Sequence, residues 1–353
     1  MCKYLLNVFL FLIVFKASCL KAQNIKWGGT IRGANDQEVS SIIRDSLGNQ
    51  YVFGVFTGTT DFDPGPGVHN LTSPGAVYIM KLDKQSNFLW VKTVPTNVTY
   101  YLDGGSEPKA GIDQQGNLYY VAAFGDVEVD FDPGAGTYLV TPNFYSNIYI
   151  SKLTPDGDLI WTRGIGKNND GPNAIGFAID SFGNTYLTGS FGEATVDFNP
   201  DPAVFNNMYS SGETDIYFLK LDMNGNFVWT KKIGTYSYDH GEGISVDAAG
   251  NIYAIGSFSY YVNFSPNAGG HYLGCSSCTN GRYLLKMDTD GNYLWATDYG
   301  NNSSDINFIK GVKTDTHGHV YITGSDGNGR SYISKITSGG GLVWTKTFAN
   351  NGI

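Results

Sequence analysis

The chain has 353 residues, with 32 acidic side chains against 23 basic ones and a formal net charge of −9. This balance excludes nucleic acid as the expected partner, because neutralising phosphate groups requires a basic face. The 46 glycines, together with many aspartates, predict a chain that is rich in turns and poor in helices.

Residues 1–22 have the order of a secretory signal peptide: a lysine, an apolar stretch over residues 4–15, and small residues after it. The stretch is shorter than the roughly 20 apolar residues that a membrane-spanning helix needs, and no later segment reaches that length. We therefore expect no transmembrane span, and a mature chain that starts near Gln23 and is secreted or held at the outer cell surface. A lipoprotein signal that uses Cys19 is the alternative.

The rest of the chain is a tandem repeat. The motif Asp-x-x-Gly-(Asn/His)-x-Tyr occurs five times, with spacings of 68, 67, 67 and 68 residues. Its glycines are Gly48, Gly116, Gly183, Gly250 and Gly318. A second motif, Tyr-x-x-Lys followed nine residues later by Trp, also occurs once in each repeat. Its pairs are Lys81/Trp90, Lys152/Trp161, Lys220/Trp229, Lys286/Trp295 and Lys335/Trp344. Such periodicity predicts copies of one supersecondary unit.

Each repeat is predicted to form four antiparallel strands, a to d, which in the first repeat are residues 39–44, 51–56, 77–82 and 88–93. The Asp of the first motif is expected to cap a tight a-to-b turn that its Gly closes in a left-handed conformation. One such sheet cannot bury both faces alone, whereas sheets stacked around an axis bury them against each other. The predicted fold class is therefore all-β, a β-propeller of four-stranded antiparallel blades.

The propeller is predicted to fill residues 23–353. Its blades are expected near residues 31–94, 95–165, 166–233, 234–298 and 299–348. Residues 24–30, with Trp27, are predicted to form an extra outer strand before the first blade. Such a strand completes the last blade of a closed ring, yet the fifth repeat has its own at Trp344. Two alternatives follow, a closed five-bladed ring or a fragment of a larger propeller.

The repeat resembles the bacterial β-propeller repeats called SBBP. Its residues Asp-x-x-Gly-Asn-x-Tyr-x-x-Gly-x-Phe, at positions 180–191, are similar to the recurring core of that family. The resemblance covers nearly all of the predicted mature chain and implies a secreted or cell-surface propeller, in a family of mostly unassigned role. The fifth repeat departs from the pattern, with His319 for Asn and Asp326 for the final Phe, and it lacks a long b-to-c loop.

Loop lengths predict which face carries function. The a-to-b and c-to-d turns are short in every repeat, whereas the b-to-c and inter-blade loops are long and variable and lie on one face, called here the long-loop face. The b-to-c loops begin with acidic segments. Their calcium candidates are Asp61, Asp63, Asp130, Asp132 and Asp197. Because Ca²⁺ takes 6 to 8 oxygens and no full loop signature is present, the alternative is that these aspartates cap backbone amides of an Asp-Pro-Gly turn.

The inter-blade loops carry a recurring aspartate. The ligand candidates among them are Asp36, Asp103, Asp170 and Asp239. An active site needs one copy of a catalytic group, so an Asp that recurs in every blade is most simply a loop cap. Glu107 and Glu242 are less regular, and they are the catalytic candidates for a carbohydrate-active enzyme, a glycosidase or lyase with carboxylates in the central funnel.

Aromatic residues in the long loops predict a binding surface. The tyrosines are Tyr101, Tyr145, Tyr236, Tyr238, Tyr260 and Tyr261. Tyrosine beside Asp and Asn suits stacking on sugars and equally suits a protein interface. Cys275 and Cys278 are the disulfide candidate in an exported chain. We therefore expect a secreted or cell-surface binding or scaffold module for a glycan or an extracellular protein, without a certain cofactor, and the enzyme is the alternative.

Overall fold

The computed structural model describes residues 30–95, 108–124, 128–140, 147–166, 172–192, 195–265, 269–274, 281–299 and 308–348. Within these ranges all regular secondary structure is β, and it includes five four-stranded antiparallel blades. The described chain is a five-bladed β-propeller, which confirms the predicted fold class. The predicted signal peptide, the predicted strand before Thr30, and Cys275 with Cys278 lie outside the described residues.

The strands of each blade follow one another along the chain. Blade 1 contains β2 (Gln37–Arg44), β3 (Gln50–Asp61), β4 (Asn70–Leu82) and β5 (Phe88–Pro95), and β1 (Arg32–Gly33) pairs with the end of β3. Blade 2 contains β6 (Lys109–Ile112), β7 (Leu118–Phe124), β10 (Asn147–Leu153) and β11 (Leu159–Ile165), with a ribbon of β8 (Val129–Asp130) and β9 (Leu139–Val140). Blade 3 contains β12 (Gly176–Ile179), β13 (Thr185–Phe191), β16 (Asp215–Leu221) and β17 (Phe227–Ile233), with a ribbon of β14 (Val196–Asp197) and β15 (Asn207–Met208).

Blades 4 and 5 continue the same order. Blade 4 contains β18 (His240–Val246), β19 (Ile252–Phe258), β22 (Gly281–Met287) and β23 (Tyr293–Asp298), with a ribbon of β20 (Val262–Asn263) and β21 (Tyr272–Leu273). Blade 5 contains β24 (Phe308–Thr314), β25 (Val320–Ser325), β26 (Ser331–Ile336) and β27 (Leu342–Phe348). The a strands β2, β6, β12, β18 and β24 contact one another in this order, so the blades are arranged around their first strands.

The short turns are closed by one repeated set of hydrogen bonds. In the first a-to-b turn, Asp45 Oδ1 accepts from the backbone amides of Leu47 and Asn49 at 3.0 and 2.8 Å, and Gly48 has a φ of 90°. A residue with a Cβ is strained at such a φ, which explains the glycine of the motif. The other four a-to-b glycines also have positive φ. The turn chemistry predicted from the motif is therefore confirmed.

Neighbouring blades are connected by a repeated contact that we call the blade joint. In the joints that follow blades 2, 3 and 4, the Lys of strand c and the Trp of strand d in one blade donate to a backbone carbonyl in the c-to-d turn of the next blade, and in the joint after blade 1 a tyrosine donates in place of the Trp. Between blades 3 and 4, for example, Lys220 Nζ and Trp229 Nε1 donate to Thr289 O at 3.0 and 3.2 Å. Equivalent acceptors are Met223 O for Lys152 and Trp161, Ser338 O for Lys286 and Trp295, and Pro155 O for Lys81 and Tyr51. The Lys and Trp of the second sequence motif thus connect neighbouring blades.

The b-to-c loops of blades 1 to 4 are anchored by a phenylalanine. Phe62, Phe131, Phe198 and Phe264 are all buried, and Phe62 packs edge-on against Phe56 with ring centroids 5.0 Å apart. In blade 5 the loop is replaced by a tight turn, in which Asp326 Oδ1 accepts from the amides of Asn328 and Arg330 at 2.9 and 2.8 Å. In the other repeats the position of Asp326 is held by the phenylalanine that ends the repeat motif, such as Phe56 in blade 1. Asp326 replaces it in blade 5 because it caps the tight turn there.

Candidate functional site

Five tyrosines lie on the long-loop face of blades 3 and 4, and we call them the tyrosine patch: Tyr209, Tyr236, Tyr238, Tyr260 and Tyr261. Four are more than half exposed, with 63% for Tyr209, 68% for Tyr236, and 55% each for Tyr238 and Tyr261. The rings of Tyr236 and Tyr260 stack with centroids 5.1 Å apart at an angle of 26°. The patch thus has four solvent-facing tyrosines, and one of them, Tyr236, stacks on the half-buried Tyr260.

The patch is built from three chain segments: the end of the blade 3 b-to-c loop, the loop between blades 3 and 4, and the start of the blade 4 b-to-c loop. The first two are in close contact, since a Cβ added to Gly212 would lie 2.1 Å from the carbonyl carbon of Tyr236. Thr214 and Tyr238 also form an isolated parallel bridge. Close backbone packing of this kind restrains the loops and so limits the freedom of the tyrosines they carry.

Asp239 lies beneath the patch and connects two of its segments. Its side chain is fully buried. Oδ1 accepts from the amide of Ser259 at 2.9 Å, and Oδ2 accepts from the amide and the hydroxyl of Thr235 at 2.7 and 3.0 Å. The predicted ligand candidate Asp239 therefore holds the inter-blade loop against the blade 4 loop, and it has no exposed surface of its own.

Asp215 has the equivalent anchoring role in blade 3. It is also fully buried, and its Oδ2 accepts from the amide of Ser211 at 2.7 Å and lies 3.0 Å from Lys232 Nζ. Lys232 donates in turn to the carbonyl of Tyr209 at 2.7 Å. Two buried carboxylates therefore anchor the backbone from which the patch tyrosines project.

The electrostatics of the two aspartates differ. Burial raises the pKa of Asp239 from 3.8 to about 6, its hydrogen bonds lower it, and the charge of nearby Asp215 adds to the increase. Asp215 has a described cation beside it in Lys232, whereas Asp239 is held by neutral donors. A buried carboxylate without a cation costs folding free energy in its charged form. Ionisation of Asp239 therefore opposes the packing of the two loops that its side chain connects.

One patch residue has an uncommon backbone conformation. Tyr260 has a φ of 61°, and the only other described non-glycine residue with positive φ is Ser86. Gly274 approaches it so closely that a Cβ there would lie 1.9 Å from the Tyr260 carbonyl oxygen. A tyrosine in the left-handed region is uncommon and persists when its surroundings enforce it. The surroundings hold the Tyr260 ring against Tyr236.

Glu242, the described catalytic candidate, lies in a β-bulge of the innermost strand β18. Its Oε1 accepts from Arg282 Nη1 at 3.0 Å and from Ser257 Oγ at 2.8 Å. Next to it, His240 Nδ1 lies 3.1 Å from Ser190 Oγ, and burial lowers the pKa of this histidine. The carboxylate is therefore ion-paired and hydrogen-bonded to side chains of its own blade.

The aspartates of the b-to-c loops bind their own backbone. Asp61 Oδ1 accepts from the amides of Asp63 and His69 at 3.1 and 2.8 Å, and Asp63 Oδ1 accepts from Gly65 at 2.8 Å. Asp130, Asp132 and Asp197 make the same contacts in blades 2 and 3. These are the hydrogen bonds expected if the aspartates cap backbone amides of a turn, which was the alternative to calcium binding. No group of three or more potential metal-ligating side chains occurs in the described part of the chain, and calcium binding stays a prediction.

A cleft of about 670 Å³ lies between blades 2 and 3, lined by Tyr138, Arg163, Asp201 and Phe227 among others. Arg163 is the cation of this cleft, and its guanidinium donates to the carbonyls of Gly225, Asn224 and Thr162. It also lies 5.4 Å from the Trp161 ring. These contacts direct Arg163 to the joint between the blades.

The remaining predicted site residues are scattered or undescribed. Asp36 is exposed, and its carbonyl accepts from the amide of Thr57 at 3.0 Å. Outside the described residues lie Glu107, Asp103, Asp170, Tyr101 and Tyr145. Sequence reasoning missed Tyr209 and Asp215. Asp215 had a detectable signal, because it is a charged residue at the start of the apolar strand β16, whose seven residues are all buried.

Comparison with known proteins adds a distant relative. No family model matches the chain. It is 27% identical over 198 residues to an uncharacterized WD repeat-containing protein of Acanthamoeba polyphaga mimivirus, a match that covers 49% of this chain and 14% of the viral protein. The chain is therefore a five-bladed β-propeller with a distant WD-repeat-like relative. The SBBP resemblance stays a prediction.

Among solved structures, the chain aligns with cobalt-substituted apocarotenoid oxygenase of Synechocystis, with a TM-score of 0.42 and 10% identity over 88% of this chain and 62% of the oxygenase. A protein of unknown function from Bacteroides caccae has a TM-score of 0.22 and 12% identity over 57% of this chain and 90% of its own. The chain thus spans less than two thirds of the mimivirus protein and of the oxygenase. These similarities carry no ligand or activity over to this chain. Across the described ranges, no helix has the length and apolar character needed to cross a membrane.

Proposed function

We propose that the protein is an extracellular binding module whose tyrosine patch recognises a carbohydrate chain. The observation that carries the proposal is the stacking of the exposed Tyr236 on the half-buried Tyr260, on loops anchored by buried carboxylates. The propeller fold and the distant WD-repeat-like relative support a binding or scaffold role more generally. The signal-like order of residues 1–22 supports an extracellular location.

Sugar rings fit this surface for chemical reasons. A tyrosine ring offers a flat apolar face to the C–H face of a sugar and a hydroxyl at its edge for a hydrogen bond. Rings that are held before binding lose less conformational entropy when the ligand arrives. Tyr236, Tyr238 and Tyr261 are exposed on restrained loops, so the patch meets both conditions.

The test is binding to a panel of immobilised polysaccharides, with soluble polysaccharide as competitor. Tyr236→Ala and Tyr238→Ala are each expected to weaken binding by about fivefold or more, if a sugar stacked on an aromatic ring contributes as much as a stacked base, about 1–3 kcal/mol. Tyr138→Ala is the matched control, because this tyrosine is 42% exposed and belongs to blade 2. Binding that survives both patch substitutions would refute the patch, and no binding to any polysaccharide would favour a protein ligand.

The alternative, a carbohydrate-active enzyme, has Glu242 as its described carboxylate. It predicts release of reducing ends or unsaturated products from a bound polysaccharide, with loss of turnover in Glu242→Gln while binding persists. The binding module predicts no turnover in either protein. The ion pair of Glu242 with Arg282 at 3.0 Å favours a structural role for this carboxylate, which supports the module.

A further inference from the structure

Asp239 connects the three chain segments of the tyrosine patch. Its backbone amide donates to the Thr214 carbonyl at 3.0 Å, at the end of the blade 3 b-to-c loop. Its carboxylate accepts from the amide of Thr235, in the inter-blade loop, at 2.7 Å and from the amide of Ser259, at the start of the blade 4 b-to-c loop, at 2.9 Å. The two rings of the stacked pair belong to the segments that this carboxylate joins, so the side chain of one residue fixes their relative position.

The charge of this carboxylate is poorly compensated. Asp239 is fully buried, and its donors are two backbone amides and one hydroxyl. A second buried carboxylate, Asp215, acts on it, and Asp215 Oδ1 has no hydrogen-bond partner among the described residues. In the described chain the ion pair of Asp215 with Lys232, at 3.0 Å, is the only one that either carboxylate makes. An ionised Asp239 thus adds a second negative charge to a buried site with one described cation.

The other titratable groups near Asp239 do not offset its charge. His240 follows it at the start of β18, but Nδ1 of this histidine faces a serine of blade 3, and burial lowers the pKa of the histidine. Glu242 is paired with Arg282 at 3.0 Å. Tyr283 in β22 is buried, and burial, together with the charges of Glu242 and Asp239, raises the pKa of this tyrosine. His240 and Tyr283 are therefore uncharged near neutral pH.

We infer that the tyrosine patch is a pH-dependent binding surface, whose loops are held together by protonated Asp239 and separate when this residue ionises. The inference rests on the proposed binding function. The protonated carboxyl is buried without a charge, whereas the ionised carboxylate gains solvation when the loops part. Because the pKa of Asp239 is raised from 3.8 to about 6, its protonated form stabilises the closed loops fully below about pH 4, and this contribution is lost as the pH rises through about 6. Separation moves Tyr236 away from Tyr260, so the ligand binds more weakly at neutral pH.

Amide hydrogen exchange of the free protein tests the loops without a ligand. Exchange at residues 235 and 259, corrected for the intrinsic rate at each pH, measures their separation. In the wild-type protein the opening equilibrium constant is expected to increase about tenfold or more between about pH 5 and about pH 7.5, with a ceiling of about 100-fold set by the difference between the two pKa values. In Asp239→Asn it should not change with pH. His240→Asn is the matched control and should keep the wild-type pH dependence.

A second variant keeps the carboxylate and changes only its surroundings. Thr235→Val removes the hydroxyl that donates to Asp239 Oδ2 at 3.0 Å, and a hydrogen bond of this kind favours the ionised form. The midpoint of loop opening should therefore move to higher pH in Thr235→Val. A purely structural role of Asp239 predicts no movement of this midpoint, and an unchanged midpoint would count against the inference.

Binding is then measured with a neutral polysaccharide from the panel, because its own charge does not change with pH. The wild-type protein should bind it about tenfold more tightly at about pH 5 than at about pH 7.5, and Asp239→Asn should bind it equally at both. Exchange that is independent of pH in the wild-type protein, the same pH dependence in Asp239→Asn, or binding that ignores pH while the loops separate would each overturn the inference. Loops that separate as expected in a protein that binds no polysaccharide would support the pH-dependent loops and refute the proposed carbohydrate ligand.

Discussion

Replacing Lys220 with methionine tests the blade joint directly. The substitution keeps most of the apolar stem and removes the ammonium, which donates to Thr289 O and Oγ1, both at 3.0 Å, and lies 5.1 Å from the Tyr186 ring. A hydrogen bond from a charged group contributes about 1.5–3 kcal/mol, and burying the ammonium offsets part of that gain. Trp229 still donates to Thr289 O, so the carbonyl keeps one partner. We expect Lys220→Met to lower the free energy of unfolding by about 2 kcal/mol.

Lys335→Met is the matched control, because Lys335 has the same motif and the same cation–π contact but no turn carbonyl from a following blade among the described residues. Its expected cost is below about 1 kcal/mol, as for exposed ion pairs. The assay is urea unfolding followed by tryptophan fluorescence, at a concentration where the protein is monomeric, with the slope against urea unchanged. Equal losses in the two variants would refute the assignment of the lysine to the joint.

Two further predictions concern the acidic residues. Because the pKa of Asp239 is raised from 3.8 to about 6 in the folded protein, its ionisation should remove up to about 3 kcal/mol of stability as the pH rises through that window. Asp239→Asn should therefore gain stability relative to wild type between about pH 4 and pH 7, whereas Asp222→Asn, at a site where the pKa is lowered below 3.8, should show no such gain, because its own pH dependence lies below about pH 4; the same gain in both variants would contradict the reasoning. For the b-to-c loops, capping of the backbone by Asp61 and Asp63 predicts that the melting temperature is the same in calcium as in a chelator. A higher melting temperature in calcium would instead support a metal site.

The propeller could be predicted because its repeated residues do the same work in every blade. The spacing of Asp45 from Gly48 implies a capped turn, and the structure shows that turn with Gly48 at a φ of 90°. The spacing of Lys220 from Trp229 implies two adjacent strands, and these residues are direct partners in the pairing of β16 with β17. The capped turns and the strand pairs depend on residues that are close together in the sequence, so the sequence alone is enough to predict them.

The joint itself was not predicted in its detail. The aromatic residues indicated apolar area between blades, but a lysine that donates to a carbonyl about 70 residues away depends on how two blades are placed, as the 69-residue separation of Lys220 from Thr289 shows. The burial of Asp239 is likewise a tertiary property. Its neighbour Ser259 belongs to another loop, and only the packed loops show that the carboxylate is an anchor.

The contrast between recurring and unique residues sharpens the assignment of the binding surface. Asp45, Lys220 and Asp239 represent sets that recur in the blades, and each has a structural task within a turn, a joint or a loop. A ligand that binds one place on a propeller needs residues that break the repeat. Tyr260 does so, since the equivalent positions in the first and third blades are Gly58 and Glu193. The stacked pair of Tyr236 and Tyr260 is therefore unexplained by the needs of a blade, which supports the proposed binding role of the tyrosine patch.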